Sequence, residues 1–409
     1  MSLSLNNSDT YVDMCRYHRI VTTLAPLSYE TLQWVPHCDG LHSRASSRGG
    51  PYQAAIPASI TGLELTVDPT IRAHAEDASH EIARFDAELG AEIAPFAAVL
   101  LRSESAASSQ IENLSASARS IAEAELPGGK GKPNAEAIVA NTAAMTAAVE
   151  LSQRIDVEAI LAMHAALMTG QSRHTPGQWR TEPVWIGGNS PRSAVFVAPE
   201  HTRVPAAIDD LLAFAARDDV ALLPQIAVIH AQFETIHPFT DGNGRTGRAL
   251  VQAMLRNKGL TRQVTVPVSA GLLADTNGYF AALTAYRNGD AAPIIEAFAA
   301  AGMRAVTNGR ALVKELRDIR ADWNQRITAR SDSAIWRVAD LLARRPVVNG
   351  VLLRQELGIP TDHPRRYMDP LTEAGIVVEF TDKSRNRAWR APQVLAALDD
   401  FAERAGRRN

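Results

Sequence analysis

Apolar positions recur at helical spacing over most of the chain from residue 68 onward. In "PTIRAHAEDASHEIARFDAEL", residues 69–89, apolar residues follow one another at intervals of three and four, and "IAPFAAVLLRSESAASSQIEN", residues 93–113, continues the pattern. Such spacing places an apolar stripe along one face of a helix. The same criterion predicts helices in the ranges 133–152, 156–169, 203–217, 222–236, 244–257, 271–287 and 292–328. The sequence therefore predicts an all-α fold for most of the chain.

One segment inside this helical region has a different pattern. "VWIGGNSPRSAVFVA", residues 184–198, carries β-branched and aromatic residues on both sides of a Gly-Gly-Asn-Ser-Pro turn, which predicts a β-hairpin. It is the one strand pair that we expect in the helical part of the chain. Residues 1–66 show no sustained periodicity and include a stretch rich in Ser, Gly and Pro. We expect an extended or disordered N-terminal region there.

The C-terminal part, residues 331–409, has a different pattern, in which the predicted helices are short. Three short helices are predicted from "SAIWRVADLLARR", "VLLRQELGI" and "RRYMDPLTEAGI", and a two-stranded wing from "VVEFTDKSRNRAWRA". This order is that of a winged helix-turn-helix. The basic residues on these elements are Arg344, Arg345, Arg354, Arg365, Arg366, Lys383, Arg385, Arg387 and Arg390. They suit phosphate contacts, but Pro370 is expected to kink or shorten the recognition helix. DNA binding and protein docking both remain open.

Composition restricts the class of protein. With 409 residues, 46% of them apolar and 21% charged, the chain is long enough for two or three domains. Its net charge of -3 argues against binding of the whole chain to nucleic acid or to an anionic membrane. Cys15 and Cys38 are too few for a disulfide framework. With no apolar run of roughly 18 to 20 residues and no signal segment, we expect a cytoplasmic protein without a membrane anchor.

The candidate chemistry is concentrated in "HPFTDGNGRTGR", residues 237–248. Gly242 and Gly244 allow the backbone to curl into the start of an apolar helix, whose unpaired N–H groups and dipole favour phosphate oxygens. Arg245 and Arg248 lie three residues apart on the first turns of that helix. Two guanidinium groups beside such a loop suit a polyphosphate.

Two further side chains of this stretch, Asp241 and His237, complete the prediction. One carboxylate together with phosphate oxygens is the usual way in which proteins hold Mg²⁺. A histidine with a pKa of about 6.5 can accept a proton from an attacking hydroxyl near neutral pH. Each feature alone is more often structural than functional. Their ordered combination predicts a site for a nucleoside triphosphate with a general base beside it.

Residues 237–248 match the signature of the Fic domain, His-x-Phe-x-Asp/Glu-Gly-Asn-Gly-Arg-x-x-Arg, at every specified position. The resemblance covers about residues 68–330 and implies a helical fold that transfers AMP from ATP, with Mg²⁺, to a Ser, Thr or Tyr hydroxyl of a target protein. By position it implies that His237 is the general base, Phe239 a core anchor and Asp241 the magnesium ligand. It also implies an anion hole formed by Gly242, Asn243 and Gly244. Arg245 and Arg248 would hold the triphosphate. Relatives that transfer a phosphoryl group carry Lys in place of the second Gly, so Gly244 argues against that alternative.

A second resemblance concerns "SSQIEN", residues 108–113. Ser108, Glu112 and Asn113 match the Fic inhibitory motif, Ser/Thr-x-x-x-Glu-Gly/Asn, in the class whose inhibitory helix precedes the catalytic loop. Ser108 and Glu112 share one face of a helix. The resemblance implies that Glu112 pairs with Arg248 in the place of the γ-phosphate, so that ATP binds with its α-phosphate misaligned. In some relatives the equivalent glutamate also assists removal of AMP, and the sequence leaves this open.

The hairpin and a later helix also resemble parts of Fic enzymes. In those enzymes a β-hairpin flap pairs with the extended backbone of the target, and the resemblance places Ile186 and Gly187 nearest to the target. "NGYFAALTAYRNGD", residues 277–290, resembles the segment that lines the adenine pocket. Tyr279 and Phe280 are the candidates for stacking on the base. A structural hairpin and a core aromatic pair are the alternatives.

The leading hypothesis is a cytoplasmic protein adenylyltransferase that modifies a target and itself, is restrained by Glu112, and recruits its target or DNA through the C-terminal unit. The alternative is a DNA-binding transcriptional regulator whose Fic domain senses a nucleotide, although an intact His237 favours chemistry. The target, the oligomeric state, including a homodimer, and the signal that relieves the inhibition are left open. We expect four regions: the N-terminal region 1–66, a helical region 67–130 with the inhibitory motif, a Fic catalytic domain 131–330 and a winged-helix domain 331–409.

Overall fold

The computed structural model of the chain describes residues 24–35, 49–89, 93–129, 131–171, 174–359, 363–381 and 387–406. Within these ranges most residues are helical, as the spacing of apolar positions predicts. The helices before the C-terminal unit are α1 (Pro69–Glu88), α2 (Ile93–Ile111), α3 (Ala118–Ala124), α4 (Pro133–Glu150), α5 (Val157–Leu167), α6 (Val204–Ala215), α7 (Leu222–Ile236), α8 (Asn243–Asn257), α9 (Val268–Leu273), α10 (Thr276–Arg287) and α11 (Ala292–Arg326). A 3₁₀ turn, His201–Arg203, precedes α6.

Helices begin where the sequence provides caps. Asp68 precedes α1, and its carboxylate accepts a hydrogen bond from Thr70 N at 2.8 Å, which satisfies one of the free N–H groups of the first turn. The range 271–287, which we predicted as one helix, is divided into α9 and α10. The division arises because Asp275 accepts a hydrogen bond from Gly278 N at 2.9 Å and caps a new helix there. The prediction of a single helix was therefore wrong.

The strands of the described residues form three small antiparallel sheets. They are β1 (Ser28–Trp34) with β2 (Gly50–Ile56), β3 (Trp185–Ile186) with β4 (Phe196–Val197), and β7 (Ala388–Arg390) between β5 (Val347–Asn349) and β6 (Val378–Glu379). The pairing of β3 with β4 is the hairpin that the sequence predicts. The β1–β2 pair was not predicted, and its two strands lie where we expected an extended or disordered region.

Contacts with the hairpin explain why a local pattern did not indicate β1 and β2. Tyr52 and Ala54 of β2 are buried together with Val197 of β4. The rings of Trp34 and Trp185 meet edge to face, with 5.6 Å between their centroids. Since these partners lie far away along the chain, the burial that holds the strand pair is tertiary, and β1 and β2 form a wall beside the hairpin.

Helix α7 lies at the centre of the core. Every residue from 223 to 236 is buried, and α1, α6, α8, α10 and α11 pack around it. A helix buried on all sides is fixed in position by its neighbours. It therefore provides a rigid base for the loop that follows it. None of the helices in the described ranges combines the length and apolarity needed to span a bilayer.

The C-terminal unit contains three helices and two later strands where they were predicted, together with a strand, β5, and a last helix that were not predicted. Its helices are α12 (Ala334–Arg344), α13 (Gly350–Leu357), α14 (Arg365–Glu373) and α15 (Pro392–Arg404). Helix α14 continues for three residues past Pro370, so the helix is not ended by that proline. The assignment as a winged helix-turn-helix stays a prediction. Lys383 and Arg385 of the predicted wing lie outside the described residues, as do Cys15 and Cys38.

The C-terminal unit packs directly on the helices that precede the catalytic loop. Helix α15 packs on α11, and α12 packs on α2. Arg102 of α2 donates a hydrogen bond to Arg344 O at 2.8 Å and forms an ion pair with Glu125 at 2.8 Å. The apolar side chains of the C-terminal unit belong to the same buried cluster as those of α7 and α11. The outer side of α2 is therefore covered by the C-terminal unit.

Candidate active site

The turn after α7 holds His237 in an uncommon backbone conformation. His237 has φ 51° and ψ 60°, and its N–H donates to Phe233 O at 2.9 Å. Pro238 disfavours the right-handed helical region for the residue before it, so α7 ends here. Residues other than glycine rarely adopt positive φ, and within the described ranges only His237 and Asn113 do so. This left-handed turn determines where the imidazole leaves the helix.

An asparagine closes the loop between α7 and α8. Asn243 Oδ1 accepts a hydrogen bond from Phe239 N at 2.8 Å, and Asn243 Nδ2 donates to Phe239 O at 2.9 Å. Gly242, with φ 77°, precedes α8, and a Cβ at this position would lie 2.9 Å from Leu167 Cδ2. The side chain of Asn243 is thus used within the loop. A contact between Asn243 and a phosphate would have to come from its main-chain N–H.

Phe239 lies in the core beneath this loop. Its ring stacks on that of His164, with 3.6 Å between centroids and 7° between planes. His164 Nδ1 accepts a hydrogen bond from Gly177 N at 3.0 Å, and its Nε2 lies 3.2 Å from Asp241 O. Because Nδ1 is an acceptor, Nε2 carries the proton and donates it to that carbonyl. Burial lowers the pKa of His164 to about 4, so the ring stays neutral and supports the loop from below.

Arg245 presents an unused N–H group at the start of α8. The side chain is buried, and its Nη2 lies 3.6 Å from Asp241 Oδ2. Its Nε is also buried and has no hydrogen-bond partner in the described part of the chain. Burial lowers the pKa of Arg245, against the opposing influence of the Asp241 charge. A buried guanidinium with a free donor is suited to bind an anion.

Asp241 is the carboxylate nearest to this arginine. Its Oδ1 accepts a hydrogen bond from Gly242 N at 2.7 Å, and His174 Nε2 lies 3.8 Å from its Oδ2. No group of three or more His, Cys, Asp or Glu side chains suited to a metal ion occurs among the described residues. Asp241 fits Mg²⁺ only in the arrangement in which one carboxylate and substrate phosphates share the ion.

The guanidinium of Arg248 is hydrogen-bonded to one residue of α2 and to one residue of the turn that follows α2. Its Nε donates to Ser108 Oγ at 2.9 Å, and its Nη2 donates to Ser108 O at 2.8 Å and to Glu112 Oε1 at 2.7 Å. Although burial acts in the opposite direction, the Glu112 carboxylate raises the pKa of Arg248 above its usual value. The structure thus pairs Glu112 with Arg248, as the resemblance implies, and Ser108 joins the same contact.

The end of α2 explains why an asparagine follows Glu112. Asn113 has φ 61°, its N–H donates to Gln110 O at 2.9 Å, and Leu114 N donates to Ser109 O at 3.0 Å. This pair of bonds around a left-handed residue is the Schellman arrangement that ends many helices. Asparagine tolerates the left-handed region better than most residues. The turn stops α2 at the point where Glu112 reaches Arg248.

Gly244 lies where the carboxylate approaches the loop. A Cβ on Gly244 would be 2.0 Å from Glu112 Oε1 and 3.0 Å from Arg248 Nη1. The absence of a side chain therefore allows the carboxylate to come close to the first turn of α8. Glu112 occupies the space above that turn, which is the place where an anion would be bound by the helix N-terminus.

The imidazole of His237 lies in a positively charged surrounding. Burial and the neighbouring charges of Arg287 and Arg180 lower the pKa of His237 to about 4. Arg287 lies over the ring of Phe196 in the hairpin, with 3.8 Å from its Cζ to the centroid, and donates to Glu234 O at 3.2 Å. His237 is thus neutral at physiological pH, as a general base must be.

The hairpin exposes the residues that were assigned to target binding. Ile186 is 41% exposed, and Val195 N donates to Ile186 O at 2.9 Å. Gly187 has φ 72°, and a Cβ there would lie 3.0 Å from Val195 Cγ2. A turn of this kind requires glycine. The hairpin is present where predicted, and its role in binding a target remains a prediction.

The aromatic pair assigned to the adenine pocket is divided between core and surface. Tyr279 is only 2% exposed, and its hydroxyl lies 2.7 Å from His230 Nε2. Phe280 is 47% exposed. The structure gives Tyr279 a packing position in the core, which was the alternative reading for this residue. Phe280 has the more accessible ring, and stacking on adenine remains a prediction for it.

Comparisons with known proteins agree with the resemblance in the central region. Residues 154–255 match the Fic/DOC family. Protein adenylyltransferase fic-1 of Caenorhabditis briggsae is 29% identical over 144 residues, which is 34% of this chain and 26% of that protein. A probable protein adenylyltransferase of Aquifex aeolicus is 33% identical over 93 residues, 20% of this chain and 29% of that protein. The chain thus spans less than a third of the length of these curated relatives.

A solved structure is similar over a longer range. A Fic family protein from Desulfovibrio desulfuricans G20 is 25% identical, with a TM-score of 0.51, and the match covers 80% of this chain and 97% of that one. The chain therefore contains a Fic domain and has homologues that are named protein adenylyltransferases.

Proposed function

From the premise that the chain contains a Fic domain, we propose that it is a protein adenylyltransferase that transfers AMP from ATP to a Ser, Thr or Tyr hydroxyl of a target protein and of itself, and that Glu112 restrains it. The single observation that carries the proposal is the loop of residues 237–248, in which His237 stands beside a glycine-rich helix start with two buried arginines. This short loop thus carries both the candidate base and the candidate anion site.

The proposed step is an in-line displacement at the α-phosphorus. The hydroxyl oxygen of the target forms a bond to this phosphorus, the bond to the oxygen bridging the α- and β-phosphates breaks, and pyrophosphate leaves. His237 accepts the hydroxyl proton. The main-chain N–H groups of the first turn of α8, together with Arg245 and Arg248, hold the phosphates. Asp241, together with phosphate oxygens of ATP, would hold Mg²⁺, whose charge would offset part of that of the triphosphate.

The restraint follows from competition for one arginine. As long as Glu112 holds Arg248 at 2.7 Å, a γ-phosphate cannot use the same Nη2 group. We propose that ATP then binds with its α-phosphorus out of line with the attacking hydroxyl. Loss of alignment alone slows a displacement by orders of magnitude.

The C-terminal unit offers more support for docking a protein than for binding DNA. Several arginines assigned to phosphate contacts form ion pairs instead: Arg344 with Glu356, Arg345 with Glu125 and Glu356, and both Arg365 and Arg387 with Glu379. Paired guanidinium groups contribute less to an electrostatic footprint for nucleic acid. These ion pairs weaken the support for the alternative function, a DNA-binding transcriptional regulator.

The position of the label tests the function. Glu112→Gly protein incubated with Mg²⁺ and ATP labelled in the α-phosphate is expected to become labelled, because AMP carries that phosphorus. The same protein with ATP labelled in the γ-phosphate is expected to remain unlabelled. Label transferred only from the γ-phosphate would identify a kinase, and no label from either position would contradict enzymatic transfer to the chain itself.

The pH dependence tests the role of His237. A base must be neutral to accept a proton, and the lowered pKa of His237, about 4, means that the ring stays neutral as the pH falls below 6.5. In the Glu112→Gly protein the negative charge that raises this pKa is also removed. We therefore expect the transfer rate at ATP concentrations well below KM, which reports the protein without bound ATP, to be level from pH 8 down to about 6 and to fall only at lower pH. A loss of half the rate at pH 6.5 or above would contradict this assignment.

A further inference from the structure

A buried arginine outside the signature loop joins the candidate base to the hairpin. Arg180 is 2% exposed. Its Nε donates to His237 O at 2.8 Å, and its Nη2 donates to Ile236 O at 3.4 Å. These are carbonyls at the C-terminal end of α7, which have no partner within the helix. The main-chain N–H of Arg180 also donates to Pro238 O at 3.0 Å. Arg180 thus holds the turn that carries His237 through three consecutive carbonyls.

The same guanidinium holds both ends of the hairpin. Its Nη1 donates to Glu182 O at 3.1 Å, and its Nη2 donates to Pro199 O at 2.6 Å. Glu182 lies just before β3, and Pro199 lies just after β4. One rigid, planar group is therefore hydrogen-bonded both to the turn with His237 and to the two ends of the hairpin.

An arginine is required for this arrangement. All side-chain hydrogen bonds that Arg180 makes in the described ranges go to main-chain carbonyls. Burial lowers its pKa to about 10, so the group remains charged at neutral pH, and a cation at a helix C-terminus is favoured by the helix dipole. The forked guanidinium directs donors to several fixed positions, whereas the ammonium of a lysine is a single point charge. Lysine can replace the charge but not the full geometry.

We infer that Arg180 is a positioning residue, which keeps the His237 turn in its left-handed conformation and fixes the distance between the base and the hairpin. This inference rests on the proposed function, since it assigns to Arg180 a part in aligning base and target. Loss of Arg180 leaves the phosphate site of α8 in place, because none of its contacts reaches Gly242, Arg245 or Arg248. The effect should therefore fall on the rate of transfer and not on the binding of ATP.

The test compares Arg180→Met and Arg180→Lys in the Glu112→Gly protein. Transfer from α-labelled ATP is measured over a range of ATP concentrations, and each variant's melting temperature is recorded. Arg217→Met is the matched control, because Arg217 also bonds main-chain carbonyls, with Nη1 to Leu63 O at 2.7 Å, away from the site. The His237 ring is followed by NMR of its C2–H and is identified by the loss of its signal in His237→Ala.

We expect Arg180→Met to lower kcat on the order of 10- to 100-fold while KM for ATP changes by less than about threefold. The kcat of Arg180→Lys should lie between those of Arg180→Met and the Glu112→Gly parent. Arg217→Met should keep the kcat of the parent. The His237 pKa should rise toward its usual value in Arg180→Met, both because the Arg180 charge that lowers it is removed and because the turn opens to water; Arg180→Lys keeps the charge, so a rise in that variant reports the opening alone. A folded Arg180→Met with unchanged kcat and an unchanged His237 titration would overturn the inference, as would a rate lost only in proportion to folded protein. If Arg180→Met does not fold, Arg180→Lys decides by the same criteria.

The two proposals fail in distinguishable ways. If the Glu112→Gly parent transfers no label, the proposed function is contradicted, and the NMR titration still tests whether Arg180 positions His237. If the parent transfers label and the Arg180 variants do so equally fast, the function stands and only the positioning role is lost.

Discussion

Glu112→Gly protein is expected to acquire label from α-labelled ATP on the order of 100 times faster than the unchanged chain. The substitution removes the carboxylate that lies 2.7 Å from Arg248 Nη2 and frees this guanidinium for the γ-phosphate. It also clears the space beside Gly244 at the start of α8. The measurement is the initial rate of label incorporation at saturating ATP, with the two proteins at equal concentration.

A second glutamate provides the control for this experiment. Glu88 is the last residue of α1 and pairs with Arg310 at 2.9 Å, so that Glu88→Gly also removes an ion pair near a helix end, but one made with α11 and not with the loop. We expect Glu88→Gly to transfer AMP at the rate of the unchanged chain. Equal rates for Glu112→Gly and the unchanged chain, with both folded, would show that the ion pair between Glu112 and Arg248 does not restrain the site.

Adding His237→Ala to the Glu112→Gly protein is expected to lower the transfer rate by a factor of about 10² to 10⁴, the usual contribution of a positioned base. ATP should still bind within a few-fold of its former affinity, because the phosphate contacts come from α8 and its loop. Label incorporation measures the first quantity, and titration calorimetry with ATP measures the second. This split between rate and binding distinguishes a base from a structural residue.

His74 offers a matched histidine, since it is exposed on α1 away from the loop. His74→Ala in the Glu112→Gly protein is expected to keep the full rate. If His237→Ala retained the rate, the base would have to be another group. If His237→Ala lost ATP binding together with transfer, the substitution would have disturbed the loop, and the assignment of a base would lose its support.

The sequence alone was sufficient to predict those features that are determined by residues close together in the chain. The loop of residues 237–248 contains its own explanation: a proline that ends α7, glycines that allow the turn, and arginines on the next helix. The motif of residues 108–113 likewise carries a helix face and an asparagine suited to the left-handed turn. Most helices follow from apolar spacing in the same way. In each case the residues that decide the structure are neighbours in the chain.

The features that were missed depend on partners that are distant in the chain. The β1–β2 pair is held by Trp185 and Val197, more than a hundred residues further on. His164 and Arg180 act through hydrogen bonds to carbonyls of the loop, and nothing in their own surroundings indicates those acceptors. Tyr279 was a candidate for stacking on adenine because its segment resembles the one that lines the adenine pocket, with a core position as the alternative, and its burial favours the core.

The contact between Arg102 and Arg344 O has a practical consequence for anyone who shortens the chain. A fragment that ends after α11 loses the carbonyl and the apolar cover that α12 provides on the outer side of α2. The helix bearing Ser108 would then be anchored from one side only. Basal rates measured on such a fragment would reflect both the chemistry of the loop and the loosening of a helix. The chain with its C-terminal unit is therefore the proper baseline for every variant that concerns Glu112.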